Sequence, residues 1–420
     1  MLDIKARGLS DAGKARKGNE DAIALDEARG IFLLADGMGG HENGDVASKA
    51  AIATAHERLL AALSTFERFR DDPGESTRDA ALAAMVDAFQ KTCAHVYGLG
   101  REGQTSRRMG STLDAIVRVG DRVVLGHVGD GRVHLVRGGR VYFLTEDHTL
   151  LGEQLRAGVV TEEQVRESHL RGVLTRCIGT HQSVKVDTLI LDLFPGDRLL
   201  MCTDGLHQYL AGRDLLDLLG PEGGDVGKLV AHANAAGGSD NISVLLLECA
   251  AHPVAAKVSP ARADASAEPP AGPVSLRIDA ICRLPLFQHL DYREQVAVLS
   301  VAHSRKYEAG ETIVRQGSPG TDMFIVVVGQ LVVERDGVNL AELGPGGHFG
   351  EMSLIDGSPR SATVVAHSAT DVLSIGRAEL DGLIRRDPVF GLKVLGTFVQ
   401  ALSARLRSTS ANLTGLEHAG

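Results

Sequence analysis

After Cys249 the chain changes character. Residues 250–273 read AAHPVAAKVSPARADASAEPPAGP. The stretch is rich in Ala and Pro, lacks helix or strand periodicity and carries a Pro-Pro pair, the marks of a semi-extended linker. A long surface loop inside one domain is the alternative, but structureless loops beyond roughly 15 residues are uncommon in compact domains. A chain of 420 residues split this way holds two or three cores rather than one. The expected organisation is a first domain over 1–249, a linker over 250–275, a second domain over 276–410 and a tail over 411–420.

Composition narrows the function. Lys plus Arg is 44 and Asp plus Glu 54, so the net charge is 44 − 54 = −10, which argues against nucleic-acid binding. With 44% hydrophobic and 23% charged residues, a disordered or fibrous chain is excluded. No apolar run approaches the roughly 18 residues of a membrane helix, and Met1-Leu2-Asp3-Ile4-Lys5 does not open a signal peptide. The five cysteines are scattered without a CxxC pair, which fits a reducing cytoplasm. None is followed six positions later by Arg, so the phosphate loop of cysteine-dependent phosphatases is absent.

Before the break, the pattern predicts strands at Gly30–Ala35, Ser111–Val119, Arg122–Val128, Arg132–Val136, Arg198–Cys202 and Ile242–Glu248, with helices at Asp45–Leu63 and Arg78–His95. Short Gly/Asp turns between neighbouring strands indicate antiparallel hairpins, hence α+β layers rather than a doubly wound parallel sheet. After the break, Leu276–Ser300 reads as helix. Short strands follow at Thr312–Arg315, Met323–Val328, Gln330–Arg335, Ala362–Ala366 and Asp371–Ile375, suiting a small β-roll, and Arg377–Arg407 returns to helical spacing.

In the first half, apolar strands repeatedly end on aspartate: Asp36-Gly37, Gly129-Asp130-Gly131 and Asp204-Gly205, while Ser239-Asp240-Asn241 precedes another strand and Glu20 and Asp21 add two carboxylates. One Asp-Gly is ordinarily a turn. Several at strand ends, if they converge, form an all-oxygen cluster suited to Mg²⁺ or Mn²⁺, and such ions activate water and clamp phosphoryl groups. The run Gly37-Met38-Gly39-Gly40 also suggests a dinucleotide loop, but Glu42 stands where that pattern needs its third glycine.

The order of segments from Lys5 to Glu248 resembles the bacterial form of the metal-dependent type 2C Ser/Thr protein phosphatases. The motifs are Arg16-Lys17-Gly18-Asn19-Glu20-Asp21, Ala35-Asp36-Gly37-Met38-Gly39-Gly40-His41, Gly110-Ser111-Thr112, Gly126-His127-Val128-Gly129-Asp130, Glu146-Asp147-His148, Cys202-Thr203-Asp204-Gly205-Leu206 and Ser239-Asp240-Asn241-Ile242. The resemblance implies an α-β-β-α sandwich of antiparallel sheets with flanking helices. It implies that Asp36 bridges two cations, Mn²⁺ or Mg²⁺, with the Gly37 carbonyl on the second. Asp204 and Asp240 complete the first cation's shell, Glu20 and Asp21 hold metal-bound waters, and Asp130 belongs to a third, weaker metal site. Arg16 grips the substrate phosphate, and a metal-bridging water attacks phosphorus in line. Gly131 stands where the family usually carries Ser, which bears on the third ion. Met38 replaces the histidine of eukaryotic members. His41 is either an acid or a surface histidine. Asp147–Arg176 is the expected flap beside the cleft, with Thr161 as a helix cap and Arg166, Arg171 and Arg176 facing phosphoprotein substrates or simply solvent.

In the second half, Gly350 and Glu351 open a short helix, and Arg360 with the small residues Ser361 and Ala362 offers a fork and bare amides for a phosphate. An Arg360–Glu351 salt bridge in an ordinary turn is equally compatible with the chemistry. The segment Leu284–Arg407, however, resembles the cyclic nucleotide-binding domain, a β-roll flanked by helices. It implies that Glu351 binds the ribose 2′-OH, and that Arg360 with Ser361 and Ala362 binds the cyclic phosphate. Ser361, where Thr favours cGMP, suits cAMP. Phe398, Leu402 and Arg405 cap the base or pack the helix on its own roll.

The expectation is a cytoplasmic, cyclic-nucleotide-regulated phosphatase acting on phosphorylated Ser/Thr proteins, among them a cognate Ser/Thr kinase and its substrates. A homodimer through the C-terminal helix is a further expectation; nucleic-acid and membrane partners are not. A signalling adaptor with a silent first half is the alternative, and retained Arg16, Asp36, Asp204 and Asp240 argue against it. A third reading keeps the phosphatase and makes the second half a docking module, against which Glu351 and Arg360 speak.

Overall fold

A computed structural model describes residues 2–39, 43–102, 109–168, 170, 172–210, 212–220, 223–251, 281, 284, 287 and 290–399. The chain divides into two compact units, Met1–Arg262 and Ala263–Gly420. The division falls inside the segment expected to be a linker; its first two residues, Ala250 and Ala251, continue the last strand of the first unit, and 252–275 lie outside the described residues.

The first unit runs β1 (Leu2–Asp11), β2 (Asp21–Asp26), β3 (Ile31–Met38), α1 (Asn43–Ala61), α2 (Leu63–Asp71), α3 (Glu75–Glu102), β4 (Gly110–Ser111), β5 (Leu113–Val119), β6 (Arg122–Val128), β7 (Arg132–Arg137), β8 (Arg140–Phe143), α4 (Leu150–Arg156), α5 (Glu162–Glu167), β9 (Asp187–Asp192), β10 (Arg198–Cys202), α6 (Asp204–His207), α7 (Gly212–Leu219), α8 (Val226–Ala235) and β11 (Ile242–Ala251). Two antiparallel sheets form, ordered β1-β11-β10-β7-β8 and β2-β3-β5-β6-β9, with β4 paired to β3. Helices α1 and α3 cover the second sheet. Ala47, Ala51, Ala55 and Leu59, four apart, press a narrow face of small residues onto Ile31, Leu33 and Ala35. Helices α7 and α8 cover the first sheet through Leu215, Leu219, Leu229 and Ala233 on Leu200, Val244 and Leu246. Strand β11 lies between these layers, so Val244 through Leu247 are all buried and the strand reads as an unbroken apolar run.

Sequence pattern places the central strands β3 to β7, β10 and β11 and the helix α1 within a few residues, and the differences have causes. Helix α3 extends well past Arg78–His95 at both ends, and the strand expected over Ser111–Val119 divides at Thr112. Strands β1, β2, β8 and β9 and helices α2, α4, α6, α7 and α8 escape the pattern. β1 alternates buried and exposed through polar residues, and β8 is a largely exposed edge strand.

The second unit is a roll of two four-stranded antiparallel sheets. One is β12 (His303–Tyr307), β19 (Thr370–Gly376), β14 (Asp322–Val328) and β17 (His348–Phe349); the other is β13 (Thr312–Val314), β18 (Thr363–Ala366), β15 (Leu331–Arg335) and β16 (Val338–Leu343). Side chains on β14 alternate. Phe324 and Val326 fill the roll, while Met323 and Ile325 meet the helices outside it. Of the helix expected over Leu276–Ser300, the described part runs Tyr292–Val301, and most of 276–289 lies outside the described residues. Asp291 and Glu294 close a capping box that fixes its start, the Glu294 amide donating to Asp291 at 2.9 Å and the Asp291 amide to Glu294 at 2.8 Å. The trailing helix is not continuous. It ends at Arg386 because Pro388 follows, and Asp387 caps the next helical run, 388–399, through the Val389 and Phe390 amides. Leu402, Arg405 and the expected tail lie outside the described residues.

Candidate active site and nucleotide pocket

The carboxylates gather where strands of both sheets of the first unit end. Asp21 opens β2 and lies directly opposite Asp36 on β3. The Gly110-Ser111-Thr112 segment pins the Asp36 backbone. The Thr112 amide donates to the Asp36 carbonyl at 2.8 Å, the Asp36 amide to Thr112 Oγ1 at 2.8 Å, and Ser111 Oγ to the same carbonyl at 3.0 Å. Asp204 is the first residue of α6, immediately after β10. Gly205 is required there, because a Cβ would overlap the Asn241 carbonyl. Asn241 then ties the Arg16–Asp21 turn to β11. Its Nδ2 donates to the Ala12 and Gly18 carbonyls at 3.0 and 2.8 Å, and its Oδ1 accepts from the Glu20 amide at 2.8 Å. Gly37 donates to the Glu20 carbonyl at 3.1 Å and leaves no room for a side chain against Gly44. Asp130 sits on the Gly129–Gly131 crossing from β6 in one sheet to β7 in the other.

This gathering has an electrostatic signature. Burial first, then Asp21, Asp204, Asp130 and Asp240, holds Asp36 well above the usual carboxylate range. Burial, with Asp204 and Asp240, pushes Asp21 up to about 7 against the hydrogen bonds of Ser243 and Thr203. Burial, with Asp204 and Asp147, pushes Asp130 up to about 8. Asp21 Oδ1 is buried with no hydrogen-bond partner among the described residues. Among the described residues no three His, Cys, Asp or Glu side chains are drawn close enough to cage an ion by themselves. An all-oxygen set of spaced carboxylates with a backbone carbonyl fits Mg²⁺ or Mn²⁺, which keep several waters in their shells. Positive charge at this place relieves the mutual repulsion.

A pH prediction follows for the metal-free protein. Asp21 and Asp130 hold their protons up to about 7 and 8 when folded, against about 4 unfolded. The folded state therefore binds more protons, and stability is lost as pH rises from about 4 through about 8. The melting temperature of chelator-treated protein should fall between pH 5 and 8.5, and Mn²⁺ should reverse most of the fall. A melting temperature that rises over that window would contradict a crowded carboxylate site.

Arg16 is exposed but not unpaired. Its Nη2 lies 2.8 Å from Asp240 Oδ2, so the residue expected to hold phosphate is paired with one expected to hold metal. His41 and Arg171, and the side chain of Arg166, lie outside the described residues. Thr161 does cap α5, in a capping box with Gln164. Arg176 is paired. It donates to Asp187 Oδ1 at 2.8 Å, while His148 Nε2, from the start of the flap, donates to Asp187 Oδ2 at 3.1 Å. Burial lowers His148 to about 3, so the ring is neutral and its Nδ1 accepts from the Gly129 amide at 3.1 Å. Arg132 clamps Asp147 through two hydrogen bonds of 2.9 and 2.7 Å.

Sequence reasoning missed three supports of the cluster. Thr203 donates to Asp21 Oδ2 at 3.0 Å, His207 donates to the Asp130 carbonyl at 2.9 Å, and Asp114 pairs with His127 behind Asp130. The signal for the first two was their place in the Thr203–His207 run beside Asp204.

In the second unit, Gly350 takes a left-handed φ of 83° and precedes the short helix Glu351–Asp356. Arg360 is buried, 6% exposed, with its guanidinium 5.6 Å from the Phe324 ring centroid and Nη1 donating to the Asp322 carbonyl at 2.8 Å. Gly320 and Gly350 form its cradle, since a Cβ at either would press on the guanidinium. Ser361 and Ala362 follow at the approach to β18. Phe398 is buried in the cluster that packs helix on roll.

A protein phosphatase 2C family model matches residues 13–222, which is half of the 420-residue chain. The chain belongs to the protein phosphatase 2C family. The cyclic nucleotide-binding domain model matches residues 304–387. Beside this phosphatase 2C chain stands the serine/threonine phosphatase stp of Listeria welshimeri, 32% identical over 253 residues, covering 58% of this chain and 96% of the relative. The S. agalactiae serine/threonine phosphatase structure is similar with a TM-score of 0.52 and 31% identity, over 59% of this chain and 99% of that one. The Mycobacterium tuberculosis phosphatase PstP/Ppp gives 0.51 and 28%, over 60% and 100%. A structure of the PstP catalytic domain in complex with two manganese ions gives 0.50 and 27%, over 60% and 100%.

Proposed function

We propose that this phosphatase 2C chain hydrolyses phosphoserine and phosphothreonine in proteins with Mn²⁺ or Mg²⁺, and that cyclic nucleotide bound in the second unit sets its rate. The observation that carries the first half is the convergence of Asp21, Asp36, Asp130, Asp204 and Asp240 from the strand ends of both sheets, each within electrostatic reach of others. Asp36, the Gly37 carbonyl, Asp204 and Asp240 would hold two cations, with Glu20 and Asp21 on their waters and Asp130 on a third ion. When bound, the cations supply an activated water and neutralise charge on the phosphoryl group. Arg16, on an exposed turn at the cluster's edge, exchanges Asp240 for the substrate phosphate, offering its planar fork to two oxygens. Thr203 and Asn241 keep Asp21 and the Arg16 turn in register while this happens.

The second half rests on Arg360 in its glycine cradle beside Gly350 and Glu351. Ser361 supports cAMP over cGMP. Coupling requires that the nucleotide bind one arrangement of the protein better than another. Phosphorylated Ser/Thr proteins of the cytoplasm, including a cognate kinase and its targets, are the proposed substrates. Among the described residues no helix is long and apolar enough to cross a membrane. The test is phosphate release from a phosphothreonine peptide with Mn²⁺, with and without saturating cAMP. A metal-dependent rate that cAMP changes supports both halves. A metal-dependent rate indifferent to cAMP and cGMP removes the regulation, and no rate removes the enzyme in favour of an adaptor.

A further inference from the structure

Asp114 stands in the middle of β5 with no solvent exposure. Its Oδ1 shares a hydrogen bond of 2.6 Å with His127 Nδ1, and His127 Nε2 donates onward to the Glu146 carbonyl at 2.8 Å. The other oxygen, Oδ2, is buried and has no hydrogen-bond partner among the described residues. It is aimed at Gly131. A Cβ placed on Gly131 would overlap Oδ2 and lie 3.1 Å from the Asp114 Cγ. The carboxylate thus fills the volume that a side chain at 131 would need, immediately beside Asp130.

A buried carboxylate oxygen without a donor is costly. Nothing in β5 requires it, because an apolar residue would pair as well in the strand. What the position does provide is a fixed oxygen acceptor beside Gly131, held from the sheet rather than from the loop. His148 braces the other side of the same loop, accepting from the Gly129 amide, while its own amide donates to the Gly129 carbonyl at 2.7 Å. Asp130 therefore lies in a loop with two buried anchors; the glycine at 131 leaves room for Asp114, while a Cβ at 129 would press on Thr112.

We propose that Asp114 is a positioning residue for the Asp130 subsite: its Oδ2 takes the place of a side-chain hydroxyl at 131 and accepts from the water shell of a hydrated divalent cation held at Asp130. The proposal rests on the metal-dependent reading of the cluster. It also accounts for Gly131. Glycine there is the consequence of Asp114 occupying the space, and the two positions form one unit.

The experiment is a Mn²⁺ titration of the full chain by calorimetry, with melting temperatures measured alongside. The wild type should show a tight class of sites and a weaker one. Asp114→Asn, which keeps the shape, should weaken the weaker class at least about tenfold and leave the tight class unchanged. Gly131→Ser alone should lower the melting temperature, because its side chain collides with Asp114. Gly131→Ser combined with Asp114→Ala should recover both the melting temperature and the weaker class. An unchanged weaker class in Asp114→Asn, or a double variant no better than Gly131→Ser, overturns the proposal. Loss of the tight class in the wild type itself overturns the metal reading beneath it.

Discussion

Asp204→Asn should reduce phosphate release by at least about three orders of magnitude, or about 4 kcal/mol of transition-state stabilisation. The change keeps the side chain's shape at the first position of α6 and removes only its charge. Asp204 is among the groups that push Asp21, Asp36 and Asp130 upward. Removing it should therefore raise the melting temperature of the metal-free protein near pH 8 while turnover collapses. Activity lost together with stability would indicate mere unfolding, and activity retained would remove the metal cluster from the mechanism. Nucleotide binding in the second unit should be unaffected.

Arg360→Ala should weaken cyclic nucleotide binding by about 2 kcal/mol, roughly thirtyfold, the scale of a lost charge-assisted clamp. Arg360→Lys should recover only part of it, because an ammonium cannot reproduce the fork. The chain has no Trp, so titration calorimetry is the measurement. Affinity unchanged in Arg360→Ala would reject the pocket. Arg360 packs over Phe324, which itself stacks on Phe349 at 4.9 Å between ring centroids. A fall in the melting temperature is therefore also expected, and binding has to be compared well below it.

The layers and the candidate ligands were legible because strands buried on both faces, such as β10 and β11, announce themselves, and because Asp-Gly at a strand end is distinctive. Sequence did not give Arg16's partner. Nothing local in the Arg16 turn says that Asp240, more than two hundred residues later, lies 2.8 Å away. Arg176's partner was hidden for the same reason, since its anion comes from β9, a strand whose short, polar-flanked run was not recognised. Asp114 was invisible as well. A lone aspartate in an apolar strand looks like an exposed position on the outer face, and only the pairing of β5 with β6 brings His127 opposite it. Polar edge strands such as β12 and β16 carry too little apolar pattern to be found.

Asp187 receives both ends of the flap on one carboxylate, and the backbone repeats the tie: the Thr175 amide donates to the His148 carbonyl at 2.8 Å, and the Leu150 amide to the Val173 carbonyl at 2.9 Å. With its ends already fixed together, the intervening segment is a closed insert, and each doubling of its length costs only about 0.6 kcal/mol in closure entropy. The flap can thus be exchanged as a cassette. A longer or differently charged insert, grafted between the same anchors, would leave the sandwich unaltered.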